Sequence, residues 1–307
     1  MAALMLASCE KVFYTSSKWK AINFTASRAD VTWASGDNVR IYCPEGSIYR
    51  DSVKWADYRA VPSGSTVSFA PMTEGVELRW GDAIHHFYAV RPAVEMSGNV
   101  IEGEIPGIQD TKEKMFLTEV SSHIFEPDLS SIGNMAATAE AIRSEQAVDL
   151  QFKPLYTTIQ FVVSAGADAD ALVSGFRLVS DGGALAGGFS ATLSEGADPA
   201  VSTATSDTSS EVKVNLGVTG SVTVLKGETL VITVIALPRD LSNLKAIFTV
   251  DGEERVMPLV DANGVPLVIP ACRKTSVTAL DFLAPEQEGF FKISIESQDV
   301  DEYDLSY

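Results

Sequence analysis

Residues 155–163 read Leu-Tyr-Thr-Thr-Ile-Gln-Phe-Val-Val, and the run Val148–Phe152 just before them alternates between apolar and polar side chains. β-Branched and aromatic residues are enriched in strands, and a period of two places successive side chains on opposite faces of a sheet. Pro154 interrupts the pattern and separates the two runs. The stretch therefore predicts two strands that open a second β region.

The same pattern extends toward the N-terminus. In Asn38–Cys43 the alternation places Val39, Ile41 and Cys43 on one face of a strand. Short runs of this kind recur along the chain, separated by turns rich in Pro, Gly and Ser. Many strands at this spacing predict an all-β protein of the sandwich type rather than a βαβ fold. The one exception is 132–147, where helical spacing of apolar residues predicts a helix, with an irregular loop as the alternative.

The length of 307 residues allows two domains, and 46% hydrophobic with 21% charged residues is typical of a globular protein. We predict a partial lipoprotein signal and tether in 1–20, an N-terminal β-sandwich domain in 21–147 and a C-terminal β-sandwich domain in 148–307. The net charge of −18 disfavours nucleic acid as a partner. No run after the N-terminus approaches the roughly 18 apolar residues of a membrane span, so we expect any membrane attachment at the N-terminus.

The N-terminal stretch Leu6-Ala7-Ser8-Cys9 follows an apolar run and resembles the lipobox of bacterial lipoproteins. The resemblance implies cleavage before Cys9 and lipidation of Cys9, so that acyl chains hold the protein to a membrane. A complete signal peptide has a basic segment and about 7–15 apolar residues, and neither is whole here. We expect this signal to be incomplete, and a chance match is the alternative. Lipidation of Cys9 would leave Cys43 and Cys272 as two buried thiols or as a disulfide.

Several motifs together resemble the fimbrillin family, the type V pilin subunits and related lipoproteins of Bacteroides-type bacteria. The first are the early strand Asn23–Arg28 and the strand Gly36–Tyr42. Farther along, Glu104–Gln109 is similar to a family segment that ends in Gln. Val148–Val163 is similar to the family's interdomain strand pair. The Gly-containing turn within Asp181–Phe189 is also similar to one in the family.

The resemblance implies two β-sandwich domains of transthyretin-like Greek-key topology, lipid-anchored for export to the outer membrane and assembled into an adhesive surface fimbria by donor-strand exchange. It implies cleavage between Arg28 and Ala29 and loss of the first strand. The alternative for Arg28 is an exposed turn cation. The strand containing Phe291, Ile293 and Ile295 is the candidate donor, or else an ordinary last strand. The implied partners are other fimbrial subunits, the outer membrane and a surface ligand of a host or bacterial cell.

A rival interpretation is a glycan-binding outer-membrane lipoprotein, in which Trp55, Tyr58 and Trp80 would form an exposed platform. We expect no catalytic activity and no cofactor, because the sequence lacks the motifs of serine hydrolases, phosphate loops and zinc proteases. We also expect no metal site. The neighbours His85 and His86 would point to opposite faces of a strand and could not chelate together.

Overall fold

The structure is a computed structural model that describes residues 20–26, 33–46, 54–64, 66–81, 84–116, 122–143, 146–204, 207–261, 263–284 and 293–298. Strands dominate these ranges, which confirms the predicted all-β fold class. The elements up to residue 154 are β1 (Phe24–Ala26), β2 (Asn38–Tyr42), β3 (Trp55–Ser63), β4 (Thr66–Pro71), β5 (His85–Arg91), β6 (Met96–Ser97), β7 (Val100–Ile105), β8 (Ile108–Phe116), β9 (Ser122–Pro127), α1 (Leu129–Ile132), β10 (Met135–Ala141), β11 (Val148–Asp149) and β12 (Lys153–Pro154). The later elements are β13 (Thr157–Ser164), β14 (Ala171–Ser180), β15 (Gly187–Thr192), β16 (Ala200–Thr203), β17 (Glu211–Asn215), β18 (Val222–Val224), β19 (Thr229–Ala236), β20 (Leu244–Val250), β21 (Glu253–Pro258), β22 (Lys274–Ala279) and β23 (Ile293–Gln298).

Eight strands form a first sheet in the order β11-β1-β4-β3-β2-β5-β10-β12. The alternation predicted for β2 is confirmed, because Val39 and Ile41 are completely buried. β1 and β5 lie four positions apart in the sheet, yet the rings of Phe24 and Phe87 meet edge to face with centroids 5.2 Å apart. The sheet therefore curls around its own apolar face.

A second sheet follows the order β21-β20-β14-β17-β8-β9-β19-β13-β22-β23, and β18 adds to β14. Phe161 of β13 and Phe176 of β14 lie five positions apart in this order, but their ring centroids are 5.1 Å apart. This sheet is therefore folded over into two layers. The strand at the corner is β8, which pairs with β17 through residues 108–110 and with β9 through residues 111–116.

A third sheet of four strands, in the order β16-β15-β7-β6, joins parts of the chain on either side of residue 147. The other two sheets also combine strands from both sides of this position. β8 and β9 precede residue 147 but belong to the second sheet, whose other strands all follow it. β11 and β12 follow residue 147 but belong to the first sheet, whose other strands all precede it. The division into domains at residue 147 stays a prediction, and strand pairing is continuous across it. No helix among the described residues has the length and apolar character needed to span a membrane.

The helix predicted over 132–147 is wrong. The described backbone has one short helix, α1, and then the strand β10, which pairs antiparallel with β5 over its whole length from Met135 to Ala141. The alanines in this segment favour a helix in isolation, but intrinsic propensity is a weak prior. Ala136 and Ala137 are buried here. Packing of these small side chains and backbone pairing with β5 override the local preference.

The side chain of Gln109 connects the two layers of the second sheet next to the corner in β8. Gln109 is buried, and its Nε2 donates a hydrogen bond of 2.7 Å to the carbonyl of Ile235 while its Oε1 accepts one of 3.1 Å from the Ile235 N–H. β9 pairs with β19 only along Thr229–Ile232. The amide therefore satisfies backbone groups of β19 beyond the end of β9, where they would otherwise be buried without partners.

We predict that Gln109→Leu lowers the free energy of unfolding by roughly 2–4 kcal/mol, because both Ile235 backbone groups lose their partner in a buried site. Urea denaturation followed by circular dichroism measures the change. The matched control is Asp110→Asn at the next, exposed position, which keeps an acceptor for the Asn215 amide and should change little. Equal stability of Gln109→Leu and the parent would contradict the role given to this amide.

Candidate functional site

The first described strand, β1, lies inside its sheet rather than at an edge. It pairs antiparallel with β4 on one side and parallel with β11 on the other. The N–H groups of Val148 and Leu150 donate hydrogen bonds of 2.8 Å to the carbonyls of Asn23 and Thr25. Loss of β1 would leave β4 and β11 each with an unpaired edge.

β1 also contributes a large side chain to the core. Phe24 is 1% exposed, and its ring meets those of Tyr58 and Phe87 edge to face with centroids 5.3 and 5.2 Å away. Tyr58 is itself held in place, because its hydroxyl accepts a hydrogen bond of 2.9 Å from the Leu78 N–H. Loss of β1 would therefore open a groove with aromatic rings at its floor.

The residues predicted for lipidation and processing, Cys9, Arg28 and Ala29, lie outside the described residues, as does Phe291 of the candidate donor strand. Ile293 and Ile295 lie in β23, which pairs antiparallel with β22 at the end of the second sheet. The described part of the predicted donor strand is thus paired within its own chain, and β22 is its one neighbour among the described strands.

A cluster of ionisable side chains surrounds His86 on β5. Glu45 follows β2, and its Oε1 lies 2.8 Å from His86 Nδ1, while its Oε2 accepts a hydrogen bond of 3.0 Å from the His86 N–H. On the other side of the ring, His86 Nε2 lies 3.7 Å from Glu195 Oε1 and 3.9 Å from Glu140 Oε2. His85 is completely buried against Trp80, so the predicted separation of the two histidines to opposite faces is confirmed.

Within this cluster the pKa values of His86, Glu45 and Glu195 depart from their ordinary values. The pKa of His86 is raised, chiefly by its hydrogen bond to Glu45 and also by the charges of Glu195 and Glu140. Burial acts to raise the pKa of Glu45, but the hydrogen bonds from His86 outweigh it and lower that pKa overall. The pKa of Glu195 is raised, mainly by burial. The cluster therefore concentrates negative charge around one ring.

His123 on β9 lies in a separate cluster. Its Nδ1 is 2.8 Å from Glu113 Oε1, and its Nε2 is 3.4 Å from Glu228 Oε2. Sequence reasoning found all three histidines but not the carboxylates around His86. Glu140 and Glu195 are distant from His86 in sequence and belong to no spacing motif. The register that places Glu140 opposite His86 is a property of the β5–β10 pair.

The two described cysteines are free thiols. Cys43 is buried, and burial raises its pKa to about 12 even though the Gly46 N–H donates a hydrogen bond of 3.2 Å to the sulfur. Burial also raises the pKa of Cys272, to about 11. The disulfide between Cys43 and Cys272 that the sequence left open is absent from the described residues.

The aromatic platform of the glycan-binding interpretation is not formed. Tyr58 and Trp80 are each only 1% exposed, and both belong to the core of the first sheet. Trp55 is 39% exposed and lies under the guanidinium of Arg40, 3.9 Å from the ring centroid. Two of the three rings are therefore unavailable to a sugar.

No protein-family model and no curated protein matches the sequence. Among solved structures, a Bacteroides uniformis protein provisionally assigned to cell adhesion is similar with a TM-score of 0.59 at 16% identity, covering 92% of this chain and 98% of that one. A Bacteroides ovatus protein of the same provisional assignment has a TM-score of 0.60 at 14% identity, with the same coverage. The chain has the fold of these two proteins.

The tip fimbrial protein Mfa3 of Porphyromonas gingivalis, truncated at its C-terminus, covers 91% of this chain and 98% of its own at 8% identity. Its TM-score of 0.42 is too low for us to infer anything from it. The fold shared with the two Bacteroides proteins agrees with the fimbrillin resemblance of the sequence. At such low identity it establishes the fold and leaves function to be proposed.

We predict that neither Cys43 nor Cys272 reacts appreciably with a thiol-specific alkylating agent in the folded protein near pH 8, because the reactive thiolate is scarce when the pKa lies near 12 or 11. Peptide mapping after alkylation measures the modification at each site. Unfolding in urea without reductant should make both thiols react. A requirement for reductant in the unfolded protein would show a disulfide and contradict the prediction.

Proposed function

We propose that the chain is a cell-surface adhesion protein of the fimbrillin type, serving as a structural subunit or an anchor of a fimbria and having no catalytic role. The observation that best supports this is the fold shared with two Bacteroides proteins provisionally assigned to cell adhesion, over 92% of the chain. The motifs that resemble fimbrillins support the same assignment. A net charge of −18 is compatible with a soluble exported protein that binds no nucleic acid.

Assembly by strand exchange is the mechanism that we propose for such a subunit. β1 is short, and the strands on both sides of it would expose unpaired N–H and C=O groups after its loss. The aromatic contacts of Phe24 would be lost together with that pairing. A strand donated by another subunit would restore both the backbone pairing and the apolar burial, which are the two free-energy sources of β-strand addition.

The proposed order of events begins with lipidation of Cys9, which delivers the chain to the outer membrane. Cleavage between Arg28 and Ala29 then releases the first strand. The C-terminal strand containing Phe291, Ile293 and Ile295 is the proposed donor to the next subunit. Its described part lies at the end of a sheet, and among the described strands it would have to break its backbone pairing with β22 to leave. The proposed partners are therefore other fimbrial subunits, with a surface ligand at the adhesive end.

The glycan-binding alternative receives no support from the described residues. It requires Trp55, Tyr58 and Trp80 on one accessible surface, and burial of Tyr58 and Trp80 removes that surface. We therefore retain the structural proposal alone.

We predict that an Arg-specific protease converts the exported protein into SDS-resistant ladders, and that Arg28→Ala abolishes the ladders because the first strand can no longer be released. The chain is expressed with a complete signal peptide, treated with the protease and analysed by SDS electrophoresis without boiling. The matched control is Arg143→Ala, which removes an exposed arginine after β10 and should leave the ladders unchanged.

Ladders from Arg28→Ala equal to those of the parent would show that cleavage does not occur at this site. Failure of both proteins to polymerise would count against a role as subunit and favour an anchor. The two outcomes therefore distinguish a wrong cleavage site from a wrong proposal of assembly.

We predict that Cys9 incorporates a clickable palmitate analogue when the chain carries a complete signal peptide, and that Cys9→Ala does not. In-gel fluorescence of the purified protein measures the incorporation. Ser8→Ala keeps a small residue before the cysteine and is expected to label as the parent does. Undiminished labelling of Cys9→Ala would exclude this residue as the lipidation site.

A further inference from the structure

The cluster around His86 joins two sheets. His86 and Glu140 face each other across β5 and β10 of the first sheet, where they are paired in register. Glu195 comes from the turn after β15 of the four-stranded sheet. That turn is held by two hydrogen bonds: Leu193 N–H to the Asn99 carbonyl at 2.9 Å, and Asn99 Nδ2 to the Leu193 carbonyl at 2.7 Å. Glu195 is thus brought to His86 by an anchored turn.

Glu45 determines which ring nitrogen of His86 is available. Because Glu45 Oε1 lies 2.8 Å from Nδ1, the neutral ring carries its proton on Nδ1 and presents the lone pair of Nε2 to the opposite side. The second oxygen of Glu45 accepts the His86 N–H at 3.0 Å, which fixes the carboxylate as well. A carboxylate behind the imidazole is the arrangement commonly found behind metal-binding histidines.

The lone pair of Nε2 faces two carboxylates at distances suited to a shared ion. Nε2 lies 3.7 Å from Glu195 Oε1 and 3.9 Å from Glu140 Oε2, both longer than a hydrogen bond. One ligand atom from each of the three residues lies within 4.8 Å of the others. Tetrahedral bonds of about 2.0–2.1 Å place ligand atoms roughly 3.4 Å apart, so slight side-chain shifts would close the site around an ion.

A second observation concerns Glu195 itself. Its Oε1 is inaccessible to solvent, and no hydrogen-bond donor among the described residues reaches it. The Glu195 side chain as a whole is 26% exposed, so the cost falls on this one oxygen, an inaccessible acceptor without a partner. A cation between Glu195 and His86 would supply the missing partner and offset the charge of the nearby carboxylates.

We propose that His86, Glu140 and Glu195 bind a divalent transition-metal ion of the Zn²⁺ type, with Glu45 as the positioning residue behind His86. One imidazole nitrogen and two carboxylate oxygens form a ligand set that Zn²⁺ accepts. His86 and Glu140 remain 34% and 55% exposed, which leaves room for water or an outside ligand at a fourth position. The bound ion would fasten the Glu195 turn of one sheet to the other sheet.

The test is isothermal titration of the full chain, treated with chelator and free of any histidine tag, with Zn²⁺ as the probe. We expect binding at one ion per chain, weakened at least tenfold in His86→Ala and in Glu195→Gln. Matched controls are Glu74→Gln at an exposed turn and His123→Ala in the separate cluster, both of which should bind as the parent does. Circular dichroism checks that each variant is folded. If His86→Ala or Glu195→Gln does not fold, Glu140→Gln, at an exposed position, is tested in its place.

Affinity in Glu195→Gln and Glu140→Gln equal to that of the parent would overturn the site, as would no binding at millimolar Zn²⁺. Loss of binding in His123→Ala alone would assign the ion to the other cluster and would also overturn it. The positioning role of Glu45 is tested separately. Glu45→Ala should weaken Zn²⁺ binding about 10–100-fold, whereas Glu45→Gln, which keeps an acceptor for Nδ1–H, should restore most of the affinity.

Discussion

The side-chain amide of Gln109 takes the place of a strand partner at the point where the second sheet turns its corner. It pairs with both backbone groups of Ile235, which lie beyond the end of the β9–β19 ladder. Two residues later another side chain bonds to the backbone in a similar way: the Thr111 hydroxyl donates a hydrogen bond of 2.6 Å to the Asn215 carbonyl. The corner strand can therefore leave one layer and enter the next without abandoning buried polar groups.

The strand just before the corner, β7, positions the turn that carries Glu195. β7 directly precedes β8 and pairs with β15, with Val100 opposite Thr192. The start of the turn after β15 is bonded to Asn99, so the position of Glu195 follows from the path of the chain into the corner. The carboxylate then meets His86 of the first sheet. The pairing of β7 with β15 thus brings together ionisable groups that are far apart in the sequence.

The need to pair backbone N–H and C=O groups also applies to the strands beside β1. This strand is short, but it satisfies the edges of two neighbours and places Phe24 in the aromatic core. Under the proposed strand exchange, replacement of β1 by another strand would recover the backbone pairing and the apolar contact at once. Recovery of the apolar contact requires an incoming strand with a large apolar side chain at the position of Phe24, between Tyr58 and Phe87.

Alternation of apolar residues was enough to predict the all-β class and strands such as β2, because period-two burial is a local property of the backbone. It failed at 132–147, where pairing of β10 with β5 outweighed the helical spacing of the apolar residues. It also placed His85 and His86 correctly on opposite faces. It could not find the partners of His86, since Glu45, Glu140 and Glu195 carry no local signal and come from three distant segments.

The sequence by itself therefore determined the all-β class, the excess of acidic residues and the burial of alternate residues in strands such as β2, all of which follow from local composition and period. Only the tertiary structure decided which strands pair across residue 147, how Gln109 satisfies Ile235, and which carboxylates surround His86. These depend on strand order and register, which arise from contacts between segments far apart in the chain and are set by the pairing of the whole sheet.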